Sequence, residues 1–134
     1  MHPLVRVFAS CAFVAGLAPP SVHAQAPAPL VSSATDKSIQ WGPCPGFLPK
    51  GCQIGVLHGD PAQPNADVFF KVGPGYAIPH HWHTSAERMT MVSGRLRVTY
   101  DGHEPTTLEV GTYAYGPAGA PHTGKCLSKD QMLL

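Results

Sequence analysis

The segment GYAIPHHWHTSAERMTMVSG, residues 75–94, concentrates side chains that can bind a metal ion. It places His80, His81, His83 and Glu87 within eight residues, in a chain with eight histidines and eight acidic residues. If the segment is extended, side chains two residues apart point to the same side, so His81, His83 and Glu87 would converge. Imidazole nitrogens with a carboxylate oxygen suit a divalent first-row transition metal, whereas calcium and magnesium prefer oxygen ligands. The spacing therefore predicts a transition-metal site.

The same alternation predicts the surroundings of these side chains. Met89 and Met91 keep the parity of Glu87 and are expected to line an apolar pocket for a small organic ligand. His80 and Trp82 are expected to face the other way. Clustered histidines can also be ordinary surface residues, and the spacing within this one segment leaves that alternative open.

The rest of the chain supplies short segments that could carry such a site. Turn signals such as Gly-Pro, Pro-Gly and Asp-Gly separate apolar segments of four to eight residues. The segment RLRVTYDG alternates, with Leu96, Val98 and Tyr100 on one face, and Asp101-Gly102 marks a hairpin turn. No window of a dozen residues shows a convincing 3.6-residue period. The pattern predicts an all-β domain, either a sandwich or a barrel.

Two longer spacing patterns include the histidine cluster. The first joins a glycine, two histidines, a glutamate and a glycine, with five, one, three and six residues between them: Gly75, His81, His83, Glu87 and Gly94. The second joins a glycine, a proline, a glycine and a histidine, with five, one and two residues between them: Gly111, Pro117, Gly119 and His122. Together they resemble the two motifs of the cupin superfamily, in a single-domain, type-2-like form.

This resemblance implies a small jelly-roll barrel that holds one divalent metal ion, with Fe, Mn, Cu, Ni and Zn as candidates. The implied ligands are His81, His83, Glu87 and His122, of which His122 is added by the second motif alone. The chain departs from the family pattern at Cys126, where the second motif commonly has asparagine. That position is usually structural in the family, so the implied ligand set is unchanged.

The activity is not specified by the resemblance, because this fold hosts many chemistries. One interpretation is a small-molecule metalloenzyme of the dioxygenase or isomerase class, in which Glu87 also acts as a catalytic base. The alternative is a non-catalytic metal- or ligand-binding module, similar to the cupin domains of sensor proteins. A purely structural metal is disfavoured, because such sites are typically closed and rich in cysteine.

The N-terminal residues have the pattern of a secretory signal peptide. An apolar run, Val7–Leu17, is followed by a Pro-Pro break and by VHA, which predicts a signal peptide over residues 1–24. Residues 25–40 are rich in Ala, Pro and Ser and are expected to form a flexible lead-in to a cupin domain over residues 41–134. We expect an exported protein, periplasmic or secreted, without membrane association after processing.

Charge and chain length limit the expected partners. Removal of residues 1–24 takes Arg6 away, which leaves eight Lys and Arg against eight Asp and Glu. With zero net charge and no basic stripe, a nucleic-acid partner has no electrostatic support, and a small molecule is the expected partner. Few residues follow His122, so an exposed sheet edge is expected to favour a homodimer.

Three cysteines follow the predicted signal peptide. Cys44 and Cys52 flank the turn-rich loop PGFLPKG, which could bring them together as a disulfide and leave Cys126 free. Disulfides persist in the oxidising compartments that an exported protein enters. Three reduced thiols are the alternative that the sequence leaves open.

Overall fold

Ten strands account for the regular structure of residues 29–134, the part of the chain that the computed structural model describes. In chain order they are β1 (Trp41–Pro43), β2 (Cys52–His58), β3 (Asp67–Val72), β4 (Ala77–His81), β5 (Glu87–Thr90), β6 (Leu96–Tyr100), β7 (Thr106–Leu108), β8 (Tyr113–Gly116), β9 (His122–Cys126) and β10 (Met132–Leu133). The all-β prediction is therefore confirmed for this part of the chain. The predicted signal peptide, residues 1–24, lies outside the described residues.

Antiparallel pairing arranges the strands in two four-stranded sheets and one two-stranded ribbon. The first sheet has the order β1-β2-β3-β10, the second has the order β4-β9-β6-β7, and the ribbon pairs β5 with β8. Within residues 29–134, no helix has the length and apolar character needed to cross a bilayer.

The buried core draws on both sheets and on the ribbon, and its members are Cys52, Val72, Met89, Met91, Leu96, Val98, Leu108, Cys126 and Met132. In β6 the predicted alternation holds at its start, since Leu96 and Val98 are buried while Arg95 and Arg97 are exposed. Burial of a side chain of this kind stabilises a fold by about 1.5 to 3 kcal/mol. The core therefore determines which face of each strand points inward, and the functional side chains lie on that inward face.

Gly94, the last residue of the first motif, lies where two parts of the chain approach closely. Its φ angle is 79°, in the left-handed region that side chains rarely adopt. A Cβ atom at this position would collide with the Ser128 hydroxyl and lie 3.2 Å from Met132 Cα. Glycine is therefore required here both for its backbone conformation and for its missing side chain.

A Gly94→Ala variant should lose more stability than a Gly102→Ala variant. Gly102 has a similar φ of 74°, but a Cβ there would meet no atom within 4 Å. The backbone strain common to both should cost about 1 to 2 kcal/mol, and the collision at Gly94 should add about 1 to 3 kcal/mol. Urea unfolding of both variants measures the difference, and equal losses would contradict the close packing of Gly94.

Candidate metal centre

The chain bends between the two halves of the predicted metal-binding segment. β4 ends at His81, residues 82–86 lie outside any strand, and β5 begins at Glu87. The continuous extended segment expected from the sequence is therefore wrong, and strand parity does not explain how His83 and Glu87 meet. The backbone N–H of Gly119 donates a hydrogen bond to the His83 carbonyl over 2.8 Å, which ties this bend to the second motif.

Three histidines from two remote parts of the sequence lie together at this bend. His81, His83 and His122 each offer one ring nitrogen, and these nitrogens all lie within 4.8 Å of one another. His122 is brought there by strand pairing, because β9 pairs with β4 and places His122 opposite His81. The ring centroids of this pair are 4.3 Å apart.

Glu87 completes the group of four residues expected from the resemblance. One carboxylate oxygen, Oε1, lies 3.4 Å from His83 Nε2, and the other, Oε2, lies 3.4 Å from His122 Nε2. The four side chains thus face one small volume. That they bind a metal ion there stays a prediction, and it can be tested against the hydrogen bonding of the rings.

Two of the three rings are oriented by backbone carbonyls. The Nδ1 atom of His81 lies 2.8 Å from the Pro79 carbonyl oxygen, and the Nδ1 atom of His122 lies 3.1 Å from that of Ala120. Because a carbonyl oxygen only accepts, each Nδ1 carries the proton and donates it. Each Nε2 then presents a lone pair towards the site, as is typical of metal-ligating histidines.

The third ring has a polar atom that the protein leaves without a partner. His83 Nε2 is buried and makes no hydrogen bond among the described residues, although Glu87 Oε1 lies at ion-pair distance, 3.4 Å away. A buried polar atom without a partner costs about 1 to 3 kcal/mol. A metal ion at this point would satisfy it, so the residues present fit a divalent transition metal.

Burial and charge shift the pKa values of three of the four candidate ligands, and the contact with Glu87 raises the pKa of the His83 imidazole. Burial alone would raise the pKa of the Glu87 carboxyl, but contacts and charge from His83, the charge of His122 and the Tyr100 hydroxyl together lower the pKa below its ordinary value. Burial also lowers the pKa of the His81 imidazole. At neutral pH the carboxylate is therefore ionised and His81 is neutral, as metal coordination requires.

Tyr100 belongs to the site, although the sequence analysis assigned it no role there. Its hydroxyl donates a hydrogen bond to Glu87 Oε2 over 3.3 Å, and its ring centroid lies 4.8 Å from that of His122. Burial, followed by the negative charge of Glu87, raises the pKa of Tyr100 to about 12. The only signal in the sequence was its alternation with Leu96 and Val98, which predicts an inward direction but no partner.

The four residues open into a cavity of about 590 Å³, a volume that is typical of small-molecule sites. Most of its walls are apolar, and they include Phe47, Leu48, Ile54, Val68, Phe70, Ile78, Met89, Leu96 and Val98. Met89 thus lines the cavity as expected from the sequence. Met91 does not line it, since β5 ends at Thr90 and the alternation of the strand stops before Met91.

The neighbouring residues on the histidine segment point elsewhere. His80 is exposed, and its Nε2 lies 3.0 Å from a carboxylate oxygen of Asp101. Trp82 is 64% exposed. Both directions agree with the expectation that these two side chains face away from the metal-binding group.

Two of the three cysteines among the described residues close the loop that precedes β2. A disulfide joins Cys44 to Cys52, whose Cα atoms are 5.6 Å apart. Cys126 is a buried free thiol in the core.

Solved structures with a similar fold come from several bacteria. KdgF from a Halomonas species has a TM-score of 0.56 and 21% identity, over 70% of this chain and 82% of that one. The DMSP lyase DddQ from Ruegeria pomeroyi has a TM-score of 0.57 and 21% identity, over 71% of this chain and 53% of the lyase. A Bacillus subtilis oxalate decarboxylase with Mn(II) centres has a TM-score of 0.52 and 28% identity, over 64% of this chain and 25% of that one.

The family assignment rests on sequence as well as on these folds. No curated protein matches the sequence. The family model for the cupin domain matches residues 68–134, a range that includes both motifs and all four candidate ligands. This chain therefore belongs to the cupin family.

Proposed function

We propose that this cupin is an exported metalloenzyme that acts on a small organic molecule, with His81, His83, Glu87 and His122 holding one divalent metal ion. The observation that carries the proposal is the buried Nε2 of His83, which makes no hydrogen bond among the described residues and belongs to a group of three histidines whose ligand nitrogens all lie within 4.8 Å of one another. The Mn(II) centres of the Bacillus subtilis protein make manganese the first ion to test, before iron, copper, nickel and zinc.

The side chains around the ion would provide proton transfer. A bound divalent metal supplies Lewis-acid polarisation of a substrate oxygen. Glu87 has a lowered pKa and is ionised at neutral pH, so it can accept a proton. Tyr100, with its pKa raised to about 12, stays protonated and can donate one. A proton acceptor and a proton donor 3.3 Å apart are the groups that moving a proton between two atoms of a substrate requires, which is the step of an isomerase-like reaction.

Export is supported by two features of different kinds. The pattern of residues 1–24 is typical of a signal peptide. The disulfide between Cys44 and Cys52 would persist in an oxidising compartment and is rare in the cytosol of most organisms. We therefore place the proposed reaction in the periplasm or outside the cell.

Protein purified from its exporting compartment should contain one divalent metal ion per chain, because one group of four ligands is present. Elemental analysis measures the content and the identity of the ion. The same protein, loaded in turn with each candidate ion, should then be screened against phenolics, sugars and small keto acids, in air and without oxygen. Turnover without oxygen would support the isomerase-like reaction.

The other outcomes of this experiment are equally informative. Turnover that consumes oxygen would assign the dioxygenase class instead. A folded, metal-loaded protein without turnover would support the non-catalytic binding module. Protein that binds none of the five ions would contradict the metal site itself.

A further inference from the structure

The loop between β1 and β2 places an aromatic side chain beside the candidate metal centre. Phe47 lies within this loop, and its ring centroid is 5.7 Å from that of His81, with 36° between the ring planes. Pro45 and Leu48 from the same loop also line the cavity. The disulfide-closed loop, residues 44–52, thus forms one wall of the space into which the four candidate ligands open.

Several contacts hold this loop in place. The Cys44–Cys52 disulfide closes its base, and Cys52 is buried in β2, where it pairs with Val72. The Tyr76 hydroxyl donates a hydrogen bond to the Pro49 carbonyl over 2.6 Å. Leu48 packs against the buried core. The backbone on both sides of Phe47 is therefore fixed by contacts to the rest of the domain.

Phe47 itself is left largely uncovered. Its side chain is 58% exposed, although it sits in a loop that is otherwise anchored. Exposed aromatic surface beside a cavity loses contact with water when a ligand covers it, which favours binding in proportion to the apolar area removed. A flat apolar ligand in the cavity would cover this ring.

The charges around the cavity also indicate a kind of ligand. Arg88 is the one lysine or arginine among the described residues that line it. Arg88 is exposed, and its guanidinium lies 5.6 Å from the ring of Tyr115, which does not line the cavity. A ligand carboxylate placed beyond the metal would therefore meet mostly apolar walls, neutral polar groups such as Asn65 and the acidic Asp67, but no well-placed fixed cation, and burying such a charge is unfavourable.

From these observations we infer that Phe47 determines ligand specificity, by packing against the aromatic part of a small molecule that binds the metal through oxygen. The inference rests on the proposed metal site and names its ligand class: phenols and catechols, in preference to small aliphatic dicarboxylates. The Cys44–Cys52 disulfide holds the loop in the position that this contact needs. It therefore lowers the entropy cost of ordering the loop when the ligand binds.

The experiment uses the full chain loaded with Co²⁺, whose visible spectrum responds to new ligands. Wild-type protein and variants are titrated with 4-nitrocatechol, which reaches the cavity wall, and with azide, which is too small to do so. Phe47→Ala should weaken 4-nitrocatechol binding about tenfold and leave azide binding within about twofold of wild type. Phe47→Tyr, which keeps the ring, should bind 4-nitrocatechol like wild type.

Two further variants separate the loop from general effects on the protein. The Cys44→Ala, Cys52→Ala double variant should weaken 4-nitrocatechol binding in the same direction as Phe47→Ala, by about threefold or more. Tyr113→Ala removes an exposed aromatic ring outside the cavity and should change neither titration.

Two results would overturn the role of Phe47 while leaving the metal site intact. One is unchanged 4-nitrocatechol affinity in Phe47→Ala. The other is an equal loss of affinity for 4-nitrocatechol and azide, because it would place the effect on the metal ion rather than on the cavity wall. Failure of wild-type protein to bind Co²⁺ would instead overturn the proposed function, and this inference with it.

Discussion

A His81→Ala, His83→Ala double variant should bind divalent metal at least tenfold more weakly than the wild type. The change removes His81, whose Nε2 lone pair is oriented by the Pro79 carbonyl, and His83, whose buried Nε2 makes no hydrogen bond among the described residues. The remaining Glu87 and His122 would offer only two ligands. Elemental analysis after dialysis and competition with a chromophoric chelator measure the loss.

The matched control is His80→Ala, on the same strand as His81. His80 is exposed and contacts Asp101 at 3.0 Å, so its removal should leave metal content unchanged. Circular dichroism of both proteins shows whether the double variant is folded. Full metal occupancy in a folded double variant would refute the assignment of the ligands.

The second large effect is expected from Glu87→Gln. The amide keeps the shape of the side chain and one oxygen ligand, but it lacks the charge and the basicity of the carboxylate. If Glu87 accepts a proton during the reaction, the variant should retain most of its metal and lose activity by about 10² or more. Metal content and kcat, measured on the same preparation with the substrate found by screening, provide the test.

The ratio of the two losses distinguishes the roles of Glu87. Metal content and activity that fall together would show that Glu87 only holds the ion. An active, fully metal-loaded variant would remove Glu87 from the mechanism altogether. Glu109→Gln makes the same chemical change at an exposed position and should affect neither quantity.

Some properties of this protein follow from the amino-acid sequence by itself. The alternation of Leu96 and Val98 correctly predicted the buried face of β6, because strand periodicity is a local property of the backbone. The motif spacings identified the family, because left-handed glycines such as Gly94 must recur at fixed places in one fold. The same spacings named four candidate ligands, of which His122 could be recognised only through the second motif.

Other properties were decided only by the tertiary structure, because they depend on contacts between residues far apart in the sequence. The bend after His81 ends the strand and resets its alternation, so parity could not predict how Glu87 reaches His83. The hydrogen bond between Tyr100 and Glu87 joins β6 to the ribbon. The position of Phe47 beside His81 depends on how its disulfide-closed loop packs against the domain, which no local pattern in the chain encodes.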